Sequence, residues 1–181
     1  MLPYRVRHAV LWQPDAAAQR PPMAPLPKSL PRRMSRLSRA VLSCVSRVAA
    51  AVGEEVLQYP VVYASRYGEI ARTLALFAEY AQYGEMSPAG FSVSVHNAPA
   101  SLLGLVSGNC NNSTTLSAGK DTLRMGLLDA AVRCAASPCL LVYGDEQHMA
   151  QEAVCVLAAV IEADSVLRPL PRTVDELLQQ I

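Results

Sequence analysis

Residues 113–143 constrain the chain most. A short β-branched run over 113–117 meets Ala118-Gly119, an apolar helical pattern follows, and Cys-Leu-Leu-Val-Tyr at 139–143 reads as a buried strand. Strand, sharp glycine turn, helix and strand with short connections form a right-handed crossover unit, so this part of the sheet is expected to be parallel. The turn also lies at a helix N-terminus, where free amides and the helix dipole favour negative charge, the geometry of a nucleophile elbow. Here the turn is Ser117-Ala118-Gly119-Lys120-Asp121, with no cysteine and with its hydroxyl placed before the glycine. An amine nucleophile at Lys120 would need a pKa depressed by burial, and the charge of Asp121 works against that. The pair reads as a structural helix start.

Upstream, Asn97 followed by Pro99 signals a helix beginning at Ala98, because Asn accepts from first-turn amides and Pro has no amide to leave unpaired. Ser87-Pro88 and Gly90 form a turn, residues 91–95 alternate as an extended segment, and His96 sits just before the cap. A lone histidine there reads as a hydrogen-bonded structural residue.

From the N-terminus, residues 4–12 alternate as a strand, and 13–31 form a proline- and alanine-rich connector without periodicity. An amphipathic helix follows over about 35–52, with Leu37, Val41, Leu42, Val45, Val48 and Ala49 on one face. Residues 58–65 hold a short buried strand, which Ser65 closes by capping a helix over 66–83. Ile70, Thr73, Phe77 and Tyr80 make one stripe of that helix, flanked by Leu74 and Ala81. Residues 113–117 are expected to be a central strand, and 121–136 a helix with Leu123, Leu127, Leu128, Ala131 and Cys134 inward. Residues 152–162 fit helix or strand by periodicity, and their β-branched content favours strand. Thr173-Val-Asp-Glu176 is a capping box that opens a last short helix to Ile181.

The whole, 181 residues with 51% hydrophobic content, reads as one domain whose apolar share exceeds what a monomer needs, so part of its surface is expected to be covered by a partner. Net charge is +1, but residues 1–50 hold nine Lys/Arg against Asp15 alone, a local +8 that leaves −7 for the remainder. A basic segment of this kind suits an acidic partner or nucleic acid, or is a solvated arm and helix face. Of five cysteines, Cys44, Cys134, Cys139 and Cys155 lie in apolar periodic segments and read as buried thiols of a cytoplasmic protein; Cys110 lies in the polar loop Gly108-Asn-Cys-Asn-Asn112. No metal spacing, dinucleotide fingerprint or phosphate loop occurs, and no cofactor is expected; Gly104 and Gly108 fit no such motif. The longest apolar run, 153–161, is too short to cross a bilayer, and no signal peptide is visible.

Five segments together carry a resemblance: Met34-Ser-Arg-Leu-Ser-Arg39, Ala64-Ser-Arg-Tyr-Gly-Glu69, Ser87-Pro88, Phe91-Ser-Val-Ser-Val-His-Asn-Ala98 and Ala118-Gly-Lys-Asp121. Over roughly residues 30–162 the chain resembles the N-terminal half of the β-ketoacyl synthases, and more closely the short ketosynthase-like chain-length-factor proteins of bacterial type II aryl-polyene systems. The resemblance implies an α/β, thiolase-like fold, N-terminal half only, with a mixed and mostly parallel sheet flanked by helices. It implies pairing with a full ketosynthase as a heterodimer, through an edge strand and helices of this half, with an acyl carrier protein as a further partner. It places Ile70, Thr73, Phe77, His96 and Asn97 along the acyl tunnel or subunit interface, and Gly119 and Lys120 at a degenerate elbow. Decarboxylative condensation needs a thiolate and two basic side chains. The thiolate is missing at the elbow, and the histidines of a ketosynthase come from a C-terminal half that this sequence does not contain. A non-catalytic, cavity-shaping subunit follows. Two alternatives stay open at this point: a small hydrolase or acyltransferase using Cys110 with His96 or using Ser117, and a homodimeric acyl-binding protein.

Overall fold

The structure is a computed structural model that describes residues 1–14, 34–146 and 155–181. Most of the 13–31 connector therefore lies outside the described residues, as does the start of the 152–162 strand. Five strands form one sheet in the order β1-β5-β4-β2-β3. These are β1 (Leu2–Trp12), β2 (Val61–Ala64), β3 (Ser113–Leu116), β4 (Cys139–Asp145) and β5 (Cys155–Arg168). The β1/β5 and β5/β4 pairs are antiparallel, and β4/β2 and β2/β3 are parallel. The sheet is thus mixed in equal parts rather than mostly parallel, since β1 and β5 return along one side.

The expected central strand at 113–117 is an edge strand. Its Ser-Thr-Thr-Leu side chains are exposed or half-buried, whereas the unbroken apolar runs of β2 and β4 occupy the positions buried on both faces. The crossover from β3 to β4 is parallel as expected, with β2 between them.

Helices cover both faces. On one, α1 (Arg36–Val52) lies over Val10, Trp12, Val61, Tyr63, Leu140, Val142, Val156, Ala158 and Val160. Ser35 caps it by accepting from the Ser38 amide at 2.9 Å. On the other face, α5 (Thr122–Arg133) and the short α6 (Val174–Leu178) cover Tyr4, Val6, Val62, Leu141, Leu157, Ala159 and Ile161. Odd and even residues of β4 divide between the two cores, as a period of two requires. Strand β1 breaks this parity: Tyr4 and Val6 face the α5 side while Val10 and Trp12 face α1. The cause is a bulge, since Val6 pairs with Ile161 and His8 with Val160, leaving Arg7 as the extra residue.

Three helices lie between β2 and β3 in the chain, α2 (Ile70–Tyr83), α3 (Pro88–Phe91) and α4 (Ala98–Ser107), of which α4 packs on α1. Helix α2 begins four residues later than the sequence suggests. The extended segment expected at 91–95 is instead a short helix followed by turns. Ser87 accepts from the Gly90 amide, and the Ser92 and Ser94 hydroxyls donate to the carbonyls of Ala89 and Phe91. Local serine bonding of this kind competes with strand pairing. Asn97 does stand at the start of α4, but its side chain donates to Ser101 Oγ at 3.3 Å and makes no cap bond. Thr173 caps α6 through the Glu176 amide, while Glu176 Oε2 takes the amide of Arg172. Among the described residues no helix is long and apolar enough to cross a membrane.

Helix α5 lies so close to β2 that a Cβ on Gly126 would sit 2.6 Å from the Ala64 Cβ. Gly126→Ala is therefore expected to cost about 1–3 kcal/mol in urea unfolding through overpacking, with Ala64→Gly added in the double variant recovering part of the loss. An unchanged midpoint would mean the helix and strand are not in this contact.

Candidate functional site

The carboxyl ends of β2 and β4 meet the N-termini of α1 and α2, and the polar groups of the chain gather there. After β2 the backbone runs through Ser65-Arg-Tyr-Gly-Glu69 as a tight turn, which is why α2 starts late. Asp145, the last residue of β4, accepts at Oδ1 from the Ser65 hydroxyl (2.9 Å) and from the amides of Arg66 (2.7 Å) and Tyr67 (3.1 Å). Ser65 Oγ in turn accepts from the Gly68 amide at 2.8 Å. Gly68 has φ +57°, and a Cβ there would approach the His96 backbone to 2.9 Å, so this position requires glycine twice over. The sequence expectation that Ser65 caps a helix is replaced by this turn.

Next to Asp145, the carboxyl of Glu146 is hydrogen-bonded by the amides of Leu37 in α1 and Ala71 in α2. Glu69 Oε1 receives the hydroxyls of Ser35 (2.6 Å) and Ser38 (2.8 Å). The motifs around residues 34–39 and 64–69 are thereby brought into one buried cluster. Burial and the neighbouring Glu69 charge push the Glu146 pKa up.

His96 belongs to this cluster as a brace. Its Nε2 donates to the Ser65 carbonyl at 2.7 Å, and its ring stands against Tyr63. Ser65, His96 and Asp145 are close together yet make no catalytic triad. The serine hydroxyl is fully buried and donates straight to the aspartate, and the histidine holds a carbonyl instead of a nucleophile.

The degenerate elbow opens onto a hollow of about 380 Å³ lined by Arg66, Tyr67, Gly119, Lys120, Tyr143, Asp145 and Glu146. Gly119 keeps φ +57°, and Thr122 Oγ1 closes the turn by donating to its carbonyl at 2.7 Å. Lys120 is exposed, which removes the burial that a nucleophilic amine needs. Ser117 donates to the Arg66 carbonyl at 3.1 Å, and among the described residues no base receives its proton. Cys110 is exposed in its loop with Sγ 3.8 Å from the Gly108 carbonyl; among the described residues it shares no hydrogen bond with His96.

The remaining expected residues lie along α2 and the loop before α4. Thr73 Oγ1 donates to the carbonyls of Glu69 and Ser94, tying α2 to that loop. Ile70 is half-buried, and Phe77 is 61% exposed. The side chain that α2 buries is Leu76, outside the expected stripe. Leu74, Phe77, Tyr80 and Tyr83 of α2 are exposed, as are Phe91, Val93 and Val95 after it and Leu105 of α4. Between α4 and the free edge of β3 lies a hollow of about 580 Å³, with Ala100, Ser101, Gly104 and Gly108 on its helix side and Asn97 and Cys110 at its margin. Sequence reasoning missed Glu69, Asp145 and Glu146, although two of them directly end the run of a buried strand.

The family described as β-ketoacyl synthase, N-terminal domain, matches residues 6–161. The chain belongs to this family. No curated protein matches it. Among solved structures, a chain of the ketosynthase ApeO in complex with its chain length factor ApeC from Xenorhabdus doucetiae is similar at 22% identity and TM-score 0.73, over 98% of this chain and 89% of that one. The ishigamide ketosynthase/chain length factor is similar at 15% identity and TM-score 0.58, over 88% and 56%. A β-ketoacyl synthase from Burkholderia phymatum STM815 follows at 15% and 0.55, over 76% and 45%. The fold of this ketosynthase-family chain is accordingly the thiolase-like N-terminal half.

Burial raises the thiol pKa values of Cys44 and Cys139 to about 12 and that of Cys155 to about 11, and raises that of Cys134 as well. At pH 8 these four stay protonated and covered, so a thiol reagent is expected to label Cys110 rapidly and all five only after denaturation. Two or more fast-reacting thiols in the native protein would contradict this packing.

Proposed function

We propose that this chain is a non-catalytic β-ketoacyl synthase-like subunit, a chain-length factor, that pairs with a full ketosynthase and shapes its acyl or polyene tunnel. The pathway class is type II fatty-acid- or polyketide-like synthesis, of the aryl-polyene kind. The observation that carries the reading is the uncovered apolar face of α2, α3 and the loop before α4. A fourteen-residue helix that buries only Leu76 leaves Leu74, Phe77, Tyr80 and Tyr83 in water. Uncovered aromatic clusters of this kind mark association surfaces. The outer edge of β3, unpaired among the described residues, and the small residues of α4 lie beside a hollow that a partner strand or helix can enter.

Three further points support the reading. The elbow keeps its glycine but holds no sulfur, and thioester formation needs a thiolate. Among the described residues, no base is hydrogen-bonded to Ser117 or Cys110, and Lys120 is exposed. The matched chain in the ApeO/ApeC complex is covered over 89% of its length, against 45% for the Burkholderia synthase, so the former is short as this chain is. An acyl carrier protein is a further partner, for which the exposed Arg39 and Arg47 of α1 offer basic contacts, whereas Arg5 and Arg7 are engaged by Glu162. A cytoplasmic location goes with this role.

Co-expression with a full-length ketosynthase partner is expected to give a stable one-to-one complex, and a homodimer that ignores the ketosynthase would count against pairing. In the reconstituted complex, Phe77→Ala is expected to weaken association about ten-fold or more, as loss of an aromatic anchor does, and to shift product length. An intact complex with an unchanged product distribution would remove Phe77 from the tunnel. Cys110→Ala and Ser117→Ala are expected to leave turnover of the complex unchanged, and loss of turnover in either would favour the enzyme alternative.

A further inference from the structure

Neither core of the sheet holds a residue of α2 or α3. Helix α2 buries Leu76 alone, and α3 buries nothing. What fastens them lies in the near half of α2. Glu69 Oε1 takes the hydroxyls of Ser35 and Ser38, and Thr73 Oγ1 donates to the Ser94 carbonyl at 3.3 Å. Leu76 lies so close to Gly90 that a Cβ there would meet its Cδ2 at 3.1 Å. Beyond Leu76 the fastenings stop. Among the described residues no side chain from Phe77 to Met86 makes a hydrogen bond or an ion pair. Phe77, Tyr80 and Tyr83 are 61%, 55% and 66% exposed. The backbone of this stretch is held by its own helical turns and by the Gly84 amide, which donates to the Tyr80 carbonyl at 2.8 Å in a left-handed cap.

A segment opens at the cost of the contacts it severs, and the rest of the molecule can stay closed. Opening α1 would pull eleven buried side chains out of the interior. Opening α2 beyond Leu76 uncovers no buried side chain at all. A few helical turns without tertiary packing are marginal in water, because the first turn fixes several residues for one hydrogen bond. The charge pattern adds a second constraint. Between Arg72 and Lys120 the only Asp, Glu, Lys or Arg residues are Glu79 and Glu85, both acidic and both in this far part. An aromatic surface fringed by two acids fits a partner surface that is apolar at its centre and basic at its rim.

We propose that residues 77–86 form a hinged arm, which opens and closes about the fixed root of α2 in the isolated chain and is held in its closed, helical form by an apolar, basic-rimmed face of the ketosynthase. The identity of the partner rests on the reading given under Proposed function, whereas the opening does not. The root keeps the first turn of α2 in place, so the arm starts from a fixed point and needs only the packing that its far half lacks. A partner supplies that packing, and the entropy of ordering the arm is lost at that moment and not earlier.

Amide exchange of the isolated chain, corrected for intrinsic rates, is expected to give residues 78–86 an opening constant at least about a hundred-fold larger than that of the interior of α1. In the complex with a full-length ketosynthase, the same amides are expected to slow by a further factor of about ten or more relative to α1. Gln82 is exposed and makes no hydrogen bond through its side chain, and Gln82→Pro breaks the helix of the arm. This variant is expected to keep the urea midpoint of the wild type and to bind the ketosynthase about ten-fold more weakly or worse. Glu79→Gln combined with Glu85→Gln is expected to slow association at low salt and to flatten its salt dependence.

Arm amides as protected as those of α1 in the isolated chain would overturn the hinge, and so would a complex in which they exchange no more slowly than before. Either result leaves the pairing reading standing. A Gln82→Pro chain that loses its midpoint or fails to fold would show the arm to be part of the body, and one that binds at full strength would show it to be idle; both overturn the proposal. Unchanged association in the double Gln variant would remove the basic rim. An arm that opens as expected in a chain that binds no ketosynthase would keep the opening and sink the pairing.

Discussion

A buried polar cluster gathers around the consecutive acids Asp145 and Glu146 at the end of β4. Asp145 fixes the turn after β2, and Glu146 joins the starts of α1 and α2. Open α/β sheets commonly bind ligands outside the carboxyl ends of their strands, where helix N-termini present free amides and positive dipole ends. Here the protein fills that position with its own carboxyls. Hydrogen bonds to charged groups contribute about 1.5–3 kcal/mol each, so the cluster is a strong joint. It is also a self-occupied version of the place where a ligand anion would otherwise bind.

That joint explains the division of the molecule into a covered and an uncovered part. Helix α1 is held by eleven buried side chains, including Leu37, Val41, Val45 and Val48, each worth about 1.5–3 kcal/mol when a large aliphatic leaves water. Helix α2 has the polar anchor at its root and Leu76 along its length. Its stability as a helix therefore depends little on its apolar stripe, which is left available for another surface. A helix seated by its first turn can present aromatic residues outward without losing its place on the body.

Much of this was legible in the chain because continuous or periodic apolar patterns leave few alternatives. The runs of β2 and β4 can only be buried strands, and α1 and α5 follow from their inward faces. The start of α4 at Ala98 and the strand assignment of β5 were legible too, although Asn97 makes no cap bond there. The stripe of α2 misled for a physical reason: amphipathicity says that one face is covered but not by which body, and here Ile70 and Phe77 do not mark the face that Leu76 buries. Residues 91–95 alternated like a strand, yet with serine at every second position and no neighbouring strand the hydroxyls close turns. The bulge at Arg7 leaves no trace in a pattern of two-residue alternation. Glu69, Asp145 and Glu146 were invisible as a cluster because their meaning lies in the convergence of four elements distant in sequence.

The elbow shows how scaffold and chemistry separate. Gly119 stays in the left-handed region although a Cβ there would meet nothing within 4 Å, so the requirement is on backbone direction alone. That direction sends the chain from the β3 edge into α5, which must then descend onto β2 at the close contact of Gly126 with Ala64. A side chain at the turn would not disturb this packing, and a sulfur could be lost without cost to the fold. The glycine could not be lost so easily, because the helix it aims packs, with α6, over one face of the sheet. The turn is thus a requirement of the scaffold, whatever side chain stands beside it.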